Sequence, residues 1–190
     1  MPPKVKITKK DIIEKALELV RKNGLESVNA RSIAGALDCS TQPVFSNFSS
    51  MTELSEAVNK AAYECYLGFI DNELKSGKYP PYKAFGMAYI RFAKEEKELF
   101  KMLFMCDRSG KDLTPTEDFE KSIEMIMQAN GISKEQASLF HLEMWAFVHG
   151  IGTMLATSFL EPEWELISDM VSNVYQGLRL RHTEGKNGSN

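Results

Sequence analysis

Thr41, Gln42, Ser46 and Asn47 place two hydroxyls and two carboxamides within seven residues of the stretch "CSTQPVFSNFSSMTEL". Neutral groups of this kind suit the reading of planar donor and acceptor edges. The Gln42 amide can pair with N6 and N7 of adenine, and Thr41 can offer its hydroxyl or lay its methyl against thymine. Ser46 can hydrogen-bond several base edges. Asn47 keeps hydrogen-bonding ability, and the Phe45 ring can pack against a sugar. Positive charge for phosphate would come from neighbouring segments: Lys4, Lys6, Lys9 and Lys10 at the N-terminus, and Arg31.

Other chemistries find less support. The chain has no Gly-rich phosphate loop, GxSxG elbow, HExxH or ExxH pair, so acid–base work would fall on isolated groups such as His141 and Glu143 and no enzyme is expected. His141 and His149 lie eight residues apart without acidic or cysteine partners at ligand spacing, so no metal is expected. Cys39, Cys65 and Cys106 form no CxxC pair and indicate neither zinc nor a disulfide framework. No cofactor is implied. No apolar run approaches the roughly 18 residues of a spanning helix, and the first residues lack a signal-peptide core, so no membrane partner and a cytoplasmic location are expected.

The elements that must hold these residues are helices. Thr8 is suited to cap a helix whose apolar positions Ile12, Ile13, Ala16, Leu17 and Val20 recur at helical spacing, with a stop at Asn23-Gly24. Asn29 can cap a short second helix with Ile33, Ala34 and Leu37 inward. A third short helix capped by Ser40 would turn Val44 and Phe48 inward and put Pro43 at its third position, where a missing N–H costs nothing. Two short helices joined by a turn and backed by a longer one make a helix-turn-helix. From Met51 the pattern becomes a long helix running to about Lys75. Further helices are expected at about 82–94, 96–105, 115–130, 134–160 and 162–181, with Ser133 and Gln136 forming a capping pair. No segment shows sustained two-residue alternation.

The charge is unevenly placed. Residues 1–50 hold eight Lys/Arg against five Asp/Glu, while residues 51–190 hold 15 against 21. A basic end on an acidic body suits a protein that approaches phosphate with its first segment.

The segments "IIEKALELVRKNG", "VNARSIAGALDCS" and "TQPVFSNFSSMTEL" are similar, in order and kind, to the DNA-binding domain of TetR-type transcriptional regulators. "MWAFVHGIGTML" echoes the Trp…His-Gly segment in the regulatory domain of some members. The resemblance implies an all-α chain of about nine helices, with a helix-turn-helix domain over residues 1–51, a ligand-binding and dimerisation bundle over 52–182, and a tail at 183–190. It further implies a homodimer, a double-stranded DNA operator and a ligand-responsive repressor. Its DNA-contacting positions would be Lys6, Lys9, Lys10, Arg31, Thr41, Gln42, Phe45, Ser46 and Asn47. Three residues depart from the family pattern. Phe45 stands where tyrosine is usual, Asn47 where histidine or tyrosine is common, and Met51 where lysine contacts the backbone. One phosphate contact fewer lowers the salt slope of binding by roughly 0.9. An interaction or small-molecule-binding protein whose helix-turn-helix no longer binds DNA is the alternative.

Ten methionines and eleven phenylalanines suit either an adaptable apolar pocket or an ordinary core. Candidate pocket residues are Phe104, Met105, Met125, Phe140, Met144, Trp145 and His149, for a small, largely apolar ligand. The last two helices are candidates for the dimer face, with Gly152 and Ala156 on one and the stripe Ile167, Met170, Val171, Val174 and Leu178 on the other.

Overall fold

A computed structural model describes residues 7–107 and 117–184, and among these the chain is all-helical: nine α-helices, one 3-10 turn and no strand. The helices are α1 Lys9–Asn23, α2 Ala30–Ala36, α3 Gln42–Asn47, α4 Met51–Ser76, α5 Pro81–Glu95, α6 Lys97–Phe104, α7 Glu117–Asn130, α8 Lys134–Ala156 and α9 Trp164–Glu184. No helix among the described residues is long and apolar enough to cross a membrane.

Local chemistry sets most of the boundaries. Thr8 and Asp11 form a reciprocal capping box on α1, Asn29 and Ser32 one on α2, and Ser133 and Gln136 one on α8. Gly24 ends α1 at φ +77°, and its amide donates to the Val20 carbonyl at 2.8 Å. Several boundaries differ from the sequence expectation: α9 spans Trp164–Glu184 where about 162–181 is expected, and the reasons are plain for two others. The third helix has Thr41 at its N-cap, not Ser40, so Pro43 falls at the second helical position; the argument from its missing N–H is unaffected. Helix α8 stops at Ala156, short of 160, because Thr157 turns its hydroxyl back to the Thr153 carbonyl and Ser158 takes φ +55°.

The chain clusters into two compact units, the first Met1–Gly68 with Glu95–Cys106, the second Phe69–Lys94 with Asp107–Asn190. The division that the resemblance implies falls after residue 51. In the first unit, α1 packs on α2, α3 and α6 around Ile12, Ala16, Val20, Ile33, Val44, Phe48, Leu54 and Val58, all at most 2% exposed. Arg21 of α1 forms a fork to Glu96, with Nε–Oε2 at 2.8 Å and Nη2–Oε1 at 3.0 Å, tying α1 to the start of α6.

In the second unit, α8 lies against α7 and α9, and Gly86 of α5 closely approaches Val148 of α8. The apolar centre holds Phe92, Phe140, Met87, Ile90, Ile123, Ile126, Leu155 and Ile167. Its helices are also cross-linked by polar pairs. Lys83 of α5 donates to Ser168 and Ser172 of α9 at 2.7 and 2.8 Å, and Glu143 of α8 meets His182 of α9 at 2.9 Å.

The two histidines with two-turn spacing each meet a tyrosine of α5. Tyr82 Oη lies 3.0 Å from His141 Nδ1, and Tyr89 Oη 2.8 Å from His149 Nδ1. Burial pushes His141 down to about 4 from an ordinary 6.5, so it is neutral in the fold at pH 7. As pH falls through 6.5 the unfolded chain gains this proton first, and stability is therefore lost between pH 6.5 and 4. Relative to His141→Gln, the wild type should lose about 2 kcal/mol more between pH 7 and pH 4.5, measured by urea unfolding at both values. Parallel pH profiles would contradict the buried neutral assignment.

Candidate nucleic-acid interface

The helix-turn-helix is built around two anchors. Val44 and Phe48 on the inner side of α3 are 1% and 2% exposed, and their burial fixes which side of the helix faces out. The turn from α2 to α3 passes through Asp38 at φ +50°, a conformation that aspartate tolerates better than most residues, and the Cys39 amide donates to the Ala34 carbonyl at 3.0 Å. On the outward side, Gln42, Phe45 and Ser46 are exposed and Thr41 is half-buried. Phe45 is 57% exposed.

A latch lies behind α3 that the helical pattern does not predict. Glu53, in the first turn of α4, accepts from the Ser49 amide and hydroxyl, both at 2.7 Å, and from Lys9 Nζ at 2.7 Å. The Lys9 ammonium also sits 4.8 Å from the centre of the Phe48 ring. Lys9 and then Ser49 hold the Glu53 carboxyl down to about 2. The sequence does carry a signal for this, since Ser50-Met-Thr-Glu53 has S-x-x-E spacing and Ser50 Oγ accepts the Glu53 amide at 3.1 Å.

The nine expected contact residues thus divide. Gln42 and Thr41 make no side-chain hydrogen bond among the described residues, and Arg31, at the second position of α2, is exposed with no ion pair among them. Lys10 is highly exposed with Glu14 at 3.6 Å. Ser46 Oγ donates to its own helix at the Gln42 carbonyl, 2.9 Å. Asn47 is turned inward: its amide donates to the Pro43 carbonyl at 2.8 Å and the Ile7 carbonyl at 3.3 Å, so it pins the approach to α1. Lys9 is held by Glu53 as described, and Lys6 lies outside the described residues. The first unit's sequence holds eleven Lys/Arg and eleven Asp/Glu.

Compared with protein-family models and with curated proteins, the chain matches none.

The seven candidate pocket residues are not gathered in one compact unit. Phe104 and Met105 belong to the first, where the Phe104 ring meets Tyr66 at 5.3 Å and Met105 is 40% exposed. In the second unit Phe140 and Met144 are buried and Met125 is half-buried. Trp145 lies on the outward side of α8, stacked on His149 with ring centres 4.9 Å apart. Among the described residues, no three His, Cys, Asp or Glu groups come together as a metal site.

The candidate dimer residues also divide. Ile167 is fully buried and Val171 is 2% exposed inside their own chain, and Gly152 and Ala156 are buried as well. Met170, Val174 and Leu178 are half-buried. The large apolar side chains left outside are Leu139, Leu142 and Trp145 on α8 and Leu166 and Leu180 on α9. With Ala146 and Gly150 on α8 and Gly177 and the half-buried Met170 on α9, they fall into two outward stripes, at three- and four-residue steps on α8 and at steps of four, seven and three on α9.

Proposed function

We propose that this protein is a dimeric, sequence-specific DNA-binding regulator of the TetR type, acting as a repressor that a small, largely apolar ligand releases. The observation that carries the reading is the α2–α3 pair. Its inner side is locked by Val44 and Phe48, and Thr41, Gln42 and Phe45 stand on the other side, with Arg31 exposed and outside any ion pair among the described residues. Neutral side chains on the second of two short helices suit base-edge reading, with cations on the flanks suited to phosphate.

The outward stripes of α8 and α9 support a homodimer in which these two helices pack on their copies as a four-helix bundle. Leu139, Leu142, Leu166 and Leu180 would be its apolar contacts and Gly150 and Gly177 its points of close approach. Two reading heads held by such a bundle need a spacing near one DNA turn, about 34–36 Å, or a multiple. Helix α4 contributes to both compact units, which suits it as the element a ligand would shift. The ligand must prefer one of two states, and such couplings are typically about 1–3 kcal/mol. A second reading, an interaction module whose helix-turn-helix no longer binds DNA, draws on the even charge of the first unit and on the Lys9–Glu53 pair.

Footprinting over DNA around its own coding region, at two salt concentrations, tests the first reading. A protected pseudo-palindrome is expected. Gln42→Ala should lose about 1–3 kcal/mol of discrimination at an adenine in each half-site. Arg31→Ala should weaken all sequences alike and flatten the salt slope by about 0.9 per half-site. Lack of protection at low salt would favour the second reading.

A further inference from the structure

Several side-chain donors in and just after α3 are engaged by the chain itself. Ser46 donates to the Gln42 carbonyl, Asn47 to the Pro43 and Ile7 carbonyls, and Ser49 to Glu53. Each of these donors is directed at the protein itself. An aromatic ring is left projecting: Phe45 is 57% exposed, one turn from the exposed Gln42 and four residues from Thr41. It has no hydroxyl to give to a phosphate, and an exposed ring gains from covering apolar area. In the major groove the one strongly apolar feature of a base edge is the C5 methyl of thymine.

We propose that Phe45 is a specificity-determining residue that reads the thymine methyl, next to an adenine read by Gln42. This rests on the DNA-binding reading above. Neutral apolar contact also fits the charge balance, because a ring on a methyl draws nothing from phosphate attraction and therefore discriminates equally at low and high salt. The pair of readers makes a half-site with neighbouring adenine and thymine edges, one taken by amide hydrogen bonds and the other by shape.

Uracil interference tests it: operator duplexes with deoxyuridine replacing single thymines lose only the methyl. One buried methyl is worth about 0.8 kcal/mol, so wild type should bind about fourfold more weakly when the critical thymine of one half-site is changed. Changing both half-sites should cost about fifteenfold. Phe45→Ala, at an exposed position, should keep its fold by circular dichroism and bind thymine and uracil operators equally. Phe45→Leu should retain part of the preference, and 5-methylcytosine at the same position should bind better than cytosine. If wild type protects an operator but no thymine shows interference, or if Phe45→Ala shows the same interference as wild type, this assignment is overturned while the DNA-binding reading stands. Failure to protect any DNA at low salt overturns both.

Discussion

Leu142→Glu is expected to convert the protein to a monomer and reduce its operator affinity by a factor of about 10²–10⁴, the gain that linking two binding heads normally supplies. Leu142 is 53% exposed in the single chain, so the change removes little of the chain's own packing and should alter monomer stability by no more than about 1 kcal/mol. In the proposed bundle the same residue lies on the α8 stripe with Leu139 and Ala146, and a two-fold axis would bring two new carboxylates into an apolar seam. Desolvating unpaired charges there is costly, and association should fail. Sedimentation velocity reads the oligomeric state, and binding to a single half-site duplex serves as the control for the reading head. A variant that remains dimeric with full operator affinity would remove α8 from the interface.

The second large effect concerns the core that holds α8 in place. Phe140 is fully buried, with its ring centre 5.2 Å from Tyr175 and 5.5 Å from His182. It therefore joins α8 to α9 from inside, opposite the outward stripes. Phe140→Ala should cost about 3–5 kcal/mol, combining lost transfer energy with an unfilled cavity, and Phe140→Leu should cost appreciably less. Chemical denaturation checks both. Because the two stripes must be held side by side to form one interface, Phe140→Ala should also raise the dimer dissociation constant, whereas Phe45→Ala should leave it unchanged. A loss below about 1 kcal/mol would mean that the ring is not part of a packed centre.

Much of this architecture is legible in the sequence because local signals decide it. Thr8 and Asn29 take the N-cap positions their residue types predict, each adding a reciprocal bond with the residue three positions on, and Ser133 and Gln136 form the capping pair that their spacing predicts. The inward side of α3 is likewise fixed by Val44 and Phe48, the two apolar residues at i and i+4.

The features that are not legible depend on choices between equally apolar or equally polar alternatives. Helix α9 carries two stripes that share Met170, and periodicity finds the richer one, Ile167, Met170, Val171, Val174 and Leu178. The fold turns its Ile167 and Val171 into the chain's own core, and leaves Leu166, Gly177 and Leu180 outside, with Met170 half-buried at the edge. On α8, Trp145 reads as a pocket residue from composition, yet its angular position places it outward beside His149. Lys9 and Asn47 read as DNA contacts because their side chains can make them. Glu53 and the Ile7 carbonyl, which engage them, come from parts of the chain 44 and 40 residues away. Helical spacing carries no information about such partners.

The proposed function requires that a two-fold pair of α3 helices reads a specific duplex. Selection of the purified full chain against a pool of random-sequence duplexes, followed by sequencing of the bound fraction, tests it with no operator sequence assumed. Enrichment of a two-fold symmetric motif is expected, with half-sites about 10 base pairs apart or a multiple of that and an adenine and a thymine in each half. Recovery of a pool indistinguishable from the starting one at low salt would contradict it.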